Sequence, residues 1–190
     1  MICLFSIFLA VLVLDFLEGL SPPADGDTLA YHAAIPKFFA IKQAIEFYPM
    51  AVDGAVPLLT HLGYTSALIL GGELALTLWL MVSGWATGFL IYAFLARQTN
   101  SIFALAIAIL FLTTPAILYS GGSGHVEVRS AGFVLAATIL FIDARESGKA
   151  RAFAIVGILA GYFIATKYFG LIFAASLGLI ILLSQRNIKA

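Results

Sequence analysis

The feature that most constrains this chain is a succession of long apolar runs with almost no charge inside them, such as residues 2–17 and 102–119. Apolar residues spaced in a stripe mark one buried face of a soluble helix or strand, whereas unbroken runs mark segments that are apolar all round. Such segments need lipid around them. A hydrocarbon core of roughly 30 Å takes about 20 helical residues to cross. Within it each backbone N–H and C=O must be satisfied by its own segment, which leaves the helix as the structure for these runs. Composition agrees: 62% of the 190 residues are hydrophobic and 11% are charged, and the mean hydropathy is +1.06. A soluble domain carries far more polar surface. The predicted fold class is therefore all-α, a polytopic transmembrane helical bundle.

The runs predict about six spans, at about residues 2–17, 73–95, 102–119, 126–142, 152–166 and 168–183. A short apolar stretch, 62–70, precedes the second. The fifth and sixth are short and barely separated, so they form either a tight hairpin or one broken unit. A single domain of residues 1–190 is expected. The chain opens directly on an apolar run, with no charged segment and no small-residue cleavage motif before the polar loop; a first membrane helix is expected rather than a cleaved leader. The missing polar lead-in suggests a clipped or mis-started N-terminus.

Loop cations set the orientation. Arg97, Arg145, Lys149, Arg151, Arg186 and Lys189 fall on one side if six spans are right, and Lys37, Lys42, Arg129 and Lys167 on the other. The first set is denser per loop residue and is expected in the cytoplasm. The long loop 18–61 and the turn 120–130 then face outward together. Net charge is zero, so there is no bulk attraction to nucleic acid. The single cysteine, Cys3, can form neither an internal disulfide nor a metal cluster.

The loop 18–61 has structure of its own. Asp25-Gly26-Asp27 reads as a turn, and Asp27 opens a run with helical spacing through Tyr31, Ile35, Phe38, Phe39 and Ile45. That spacing predicts an amphipathic juxtamembrane helix lying on the membrane. Pro36 should kink or split it. The pairs Tyr48-Pro49 and Val56-Pro57 mark extended or turning chain.

Charges are costly at a membrane and cluster where there is function. Asp25, Asp27, His32, Lys37, His125, Glu127, Arg129 and Lys167 all fall on the expected outer side, from three separate elements, and converging acids, bases and cations can form an active site. Each also has a plainer reading. Asp27 is placed to cap the following helix or to act as a general base. Asp25 fits a turn. In Gly121–Arg129 the glycines suggest a tight turn into the fourth span. It lacks the ending of a phosphate-binding P-loop and follows no strand. His125 and Glu127 are candidate metal or substrate contacts, with a divalent metal as the candidate cofactor, and Arg129 is a candidate phosphate contact. Lys167 either snorkels to the interface or meets an anion. His61 and Glu73, flanking residues 62–70, read as interfacial.

The stretch Pro22–Lys37, reading PPADGDTLAYHAAIPK, resembles the first outer loop of bacterial GT-C membrane glycosyltransferases, the group of the protein mannosyltransferases and the aminoarabinose transferase of lipid A. Similar pieces follow in order: Thr114–Tyr119, the turn with Glu127, Gly157–Gly161, and Ala165–Tyr168. Many members carry Asp-Glu where this chain has Asp27 and Thr28. The resemblance implies an N-terminal portion of a longer transferase of hexosyl or pentosyl groups. It would move a sugar from a polyprenyl-phosphate donor to a lipid, glycan or protein acceptor, among membrane lipids, and would sit in a bacterial inner membrane with its active loops outward. By position Asp27 matches the loop aspartate taken as catalytic base, and Glu127 an acidic position of the second outer loop. Asp25, His32, Lys37, Arg129 and Lys167 are further candidate substrate contacts. The alternative is a non-enzymatic membrane subunit or small transporter component. The near absence of charge within spans two to six favours surface chemistry over transport.

Overall fold

The computed structural model describes residues 2–47, 58–121 and 123–186, with side chains described to residue 183. Tyr48-Pro49, Val56-Pro57, Gly122 and Lys189 lie outside the described residues. The described residues contain helices and no strand, in the order α1 Ile2–Gly19, a π-helical turn Thr28–His32, α2 Ala34–Lys42, α3 Leu59–Gln98, α4 Ser101–Leu112, α5 Pro115–Gly121, α6 Glu127–Ser147, α7 Ala150–Ile164 and α8 Phe169–Arg186. Two of these, α1 and α3, are long and apolar enough to cross a membrane, and the bent pair α4–α5 makes up to three. Six spans are thus not reached by length and composition alone. The α6 helix carries Glu127, Arg129, Asp143, Arg145 and Glu146 within its 21 residues, and α7 has only 15.

Three of these helices are shaped by particular residues. The α3 helix is two legs meeting at Gly71 and Gly72, where Gly72 takes φ +68° and ψ −158°. That region is open to glycine and closed to residues with a Cβ. The first leg therefore ends just ahead of Glu73. The run expected as one span over 102–119 is broken instead: α4 and α5 meet at 66°. Pro115 has no N–H to continue the helix and suits the first position of a new one. The hydroxyls of Thr113 and Thr114 donate back to the carbonyls of Ile109 and Leu110, both at 2.8 Å, and so satisfy the last turn of α4. Asn100 caps its start, accepting from the N–H groups of Ile102 and Phe103.

The juxtamembrane run also splits, but ahead of Pro36 rather than at it. Pro36 cannot donate to the His32 carbonyl one turn back, so the chain closes a wider turn there, with the Ala33 N–H donating to Thr28 C=O at 2.7 Å. Pro36 then sits in the first turn of α2, where a missing donor is harmless. Ile35 and Phe39, expected on the lipid-facing stripe, are buried in the protein, while Ile41, Ile45 and Phe47 are exposed.

By contacts the chain forms two units. The first takes in α1, the π-helical turn, α2, α3 from Thr60 onward, α4, α5 and α6 as far as Gly132. Its core joins Ala33, Tyr64, Leu76, Leu80 and Val126, with Leu68 against them. One cluster thereby holds the juxtamembrane segment, both legs of α3 and the turn ahead of α6. Between helices the packing is close at small residues, as expected where lipid removes the hydrophobic drive and contact supplies the energy. A Cβ on Gly88 would lie 3.1 Å from Leu112, and one on Gly132 would lie 2.5 Å from Thr87 Oγ1. Phe8 of α1 meets Phe89 edge-on at 5.7 Å.

Among the described residues the second unit takes in 133–186, with residues 58 and 59. Its core pairs Val156 and Ala160 of α7 with Leu177 of α8 and Phe141 of α6. Of the two arrangements open for the last apolar runs, the structure has the hairpin. Gly170 lies so close to the α7 backbone that a Cβ there would fall 2.3 Å from the Ile164 nitrogen.

Candidate active site

The polar groups of the first unit gather where the first loop meets the turn before α6. The loop segment is pinned at Thr28. Its N–H donates to Asp25 Oδ1 at 2.9 Å, and its Oγ1 accepts from the Gly124 N–H at 2.5 Å. Gly124 fits because it lacks a side chain: a Cβ would fall 2.7 Å from His32 Cβ and 2.8 Å from Thr28 Cγ2. Asp25 Oδ1 also lies 3.3 Å from His125 Nε2, and His125 Nδ1 lies 3.5 Å from Glu127 Oε2. Burial of Asp25 pushes its carboxyl up, but the hydroxyl and N–H of Thr28 and the nearby His125 outweigh that and hold it below the ordinary carboxylate value.

Behind this row His32 and His61 are both buried, and His32 Nδ1 is 3.0 Å from His61 Nε2. One of these nitrogens must carry the proton and the other accept it, so the two rings cannot both be protonated while the bond stands. The His32 and His125 rings lie 5.7 Å apart, so all three histidines of the chain meet here. Tyr31, Tyr64 and Tyr119 pack around them.

Asp27 stands apart from this row. Its backbone is already helical, at φ −70° and ψ −39°, and its side chain makes no cap bond. Capping needs an extended backbone at the cap residue. The cap expected of Asp27 is therefore supplied by Asp25, and the Asp27 carboxylate is left exposed. Lys37 pairs with Glu73 at the head of the second leg of α3, 2.5 Å apart and half exposed. Arg129, expected at a phosphate, is only 8% exposed. Its guanidinium lies 5.2 Å from the rings of both Tyr64 and Trp79, and its Nη2 donates to Trp79 C=O at 3.1 Å. A cation between two rings away from water is worth on the order of 2 kcal/mol. Arg129 is thus part of the packing of α6 on α3. Lys167 lies in the turn between α7 and α8, in the second unit.

The structure therefore joins Asp25, His32, His125 and Glu127, leaves Asp27 exposed two residues from Asp25, and turns Lys37 and Arg129 to other partners. Comparison adds the family. Residues 57–190 match the model of the dolichyl-phosphate-mannose-protein mannosyltransferase family. The chain belongs to that family. It is thus a member of a membrane glycosyltransferase family and, with its apolar helices, an integral membrane protein. No curated protein and no solved structure matches it. The matched segment of this mannosyltransferase-family chain holds His61, Glu73, His125, Glu127, Arg129 and Lys167, whereas Asp25 and Asp27 precede it.

Among the described residues no group of three or more histidine, cysteine or carboxylate side chains is arranged to hold an ion. The ring nitrogens of His125 lie 3.3 Å from Asp25 Oδ1 and 3.5 Å from Glu127 Oε2. Two residues of the site, and one polar contact elsewhere in the first unit, were not singled out by the sequence. Thr28 carried no motif. His61 read as interfacial, although its place at the head of α3 could have drawn it toward the loop. Asp15, inside the first predicted span, accepts from Trp85 Nε1 at 3.1 Å; a carboxylate within an apolar run was the available signal.

Proposed function

We propose that this chain transfers mannose from a polyprenyl-phosphate donor to a hydroxyl of a protein acceptor at the outward face of the membrane, with Asp27 as general base. The supporting observation is the family match, taken with an exposed carboxylate whose backbone is held beside a knot of loop contacts. Asp27 lies within the Asp25–Thr28 cap, directly before Thr28, so its backbone is held while its side chain meets solvent. In the proposed step the Asp27 carboxylate takes the acceptor O–H proton. The acceptor oxygen bonds to the anomeric carbon, and the bond from that carbon to the phosphate oxygen breaks, leaving the electron pair on the lipid phosphate. Positioned base catalysis of this kind contributes about 10²- to 10⁴-fold. A leaving phosphate needs cations near it. Lys37 is half exposed beside Glu73, and Lys167 is proposed on its charge alone. A lipid-linked donor also accounts for placing the site at a membrane surface, and a bacterial inner membrane is the proposed location.

The test compares wild type with Asp27→Asn in detergent, using dolichyl-phosphate mannose with labelled mannose and an acceptor peptide. Transfer should fall about a hundred-fold in Asp27→Asn, within the range for a lost general base, at an unchanged melting midpoint. Equal turnover by the two proteins removes Asp27 from this role. Absence of turnover in both supports the non-enzymatic membrane subunit instead.

A further inference from the structure

The row Asp25, His125 and Glu127 has a direction. Side-chain exposure rises from 7% at Asp25 to 16% at His125 and 49% at Glu127. The inner carboxylate is fixed by the Thr28 N–H, its Oδ1 faces one ring nitrogen of His125, and the other ring nitrogen faces Glu127 Oε2. His125 is thus enclosed at ion-pair distance between an inner and an outer carboxylate, although its Nε2 makes no hydrogen bond. Two further rings lie near it, Tyr119 of α5 and His32 of the π-helical turn, at 5.5 and 5.7 Å between centroids. Among the described residues the groups at ion-pair distance from His125 are the two carboxylates.

We propose that Asp25 and His125 are positioning residues for Glu127, holding its half-exposed carboxylate ready to accept hydrogen bonds from the hydroxyls of the donor sugar. The proposal rests on the transferase reading above. It differs in what it asks of the first loop: Asp27 handles the acceptor proton, and Asp25 acts at one remove, through the second loop segment, on how the sugar is held. A carboxylate fixed by a neighbour loses less freedom when it binds, so it contributes more to substrate orientation than a swinging one. The same row explains why Thr28 and Gly124 meet so closely. Their hydrogen bond sets the two segments in register, and a slip of one residue would take Asp25 away from the ring.

Substitution by asparagine keeps an oxygen for the Thr28 cap while removing the charge that faces His125. Two measurements on the detergent-purified chain then decide. In the first, the protein is labelled with ¹⁵N in its histidine rings, and the His125 signals are assigned by their loss in His125→Gln. Asp25→Asn and Glu127→Gln should each move those ring-nitrogen shifts, and Asp27→Asn should not. Shifts that ignore Asp25→Asn or Glu127→Gln overturn the pair, whatever the turnover. In the second, mannose transfer from dolichyl-phosphate mannose is followed. Asp25→Asn and Glu127→Gln should each lower kcat/KM about tenfold, mainly through KM, and the double variant should be no worse than about the poorer single. Multiplying losses overturn the positioning role alone and leave the transferase reading standing. A wild type that binds and transfers nothing overturns the transferase reading, and the role of the pair with it.

Discussion

At the scale of single residues, two aspartates two positions apart are placed in opposite ways. Asp27 is helical and exposed, while Asp25 turns its carboxylate inward as a cap. Asp25→Ala should cost about 1 kcal/mol, the usual loss for a removed cap, read as a lower melting midpoint in detergent. The pH dependence has a definite sign. A carboxyl held below its ordinary value in the folded protein contributes stability that is fully present above the unfolded value, about 3.9. That contribution is lost as pH falls through the lower folded value. Wild type should therefore lose more of its melting midpoint between pH 6 and pH 3 than Asp25→Asn, which has no such carboxyl to titrate; parallel losses in the two proteins would remove Asp25 from this role. In the sequence both aspartates were visible as cap and turn candidates. Asp27 is already helical and Asp25 makes the cap, and Asp-Gly-Asp carries no signal for which of the two opens the helix. His61 shows the same limit at longer range: its partner His32 is distant in sequence, and nothing in one chain alone pairs them.

Among the elements, the breaks in the helices carry the positioning. Gly71 and Gly72 end the first leg of α3, and Glu73 at the head of the second leg meets Lys37 of α2. Gly72→Ala should cost on the order of 1–3 kcal/mol, because alanine is strained at that φ and ψ. A distance between spin labels placed on the two legs should change as the kink relaxes. An unchanged distance and midpoint would mean that neighbouring contacts, rather than glycine, impose the bend. Hydropathy already separated residues 62–70 from a run beginning at 73, because two glycines and a glutamate interrupt the apolar pattern. It passed smoothly over Thr113 to Pro115, since those residues barely dent an apolar average. There the bend comes from a missing N–H, to which hydropathy is blind. The α2 stripe misled for a related reason. Apolar spacing says which side of a helix is buried, but Ile35 and Phe39 found protein where lipid was expected.

For the whole molecule, membrane residence was legible from composition and run length, because both follow from solvation alone. The chain should stay with the membrane pellet through alkaline carbonate extraction, and release into the supernatant would contradict integral insertion. The number of crossings was less legible, since the charged ends of α6 and the short α7 give no clear length signal. The family match and the first-loop resemblance cover different stretches of the chain. Residues 57–190 supply the match, and the loop with Asp25 and Asp27 joins it through Thr28, Gly124 and His125. The Arg129 clamp and the Asp15 bond have one more consequence. Both tryptophans of the chain, Trp79 and Trp85, lie on the second leg of α3, about 120° apart by the helical period. Trp79 lies under the Arg129 guanidinium, and the Trp85 indole donates to a carboxylate of α1. The intrinsic fluorescence of the protein therefore comes from one helix read on two sides. Loosening α6 and loosening α1 would each be reported by a different emitter.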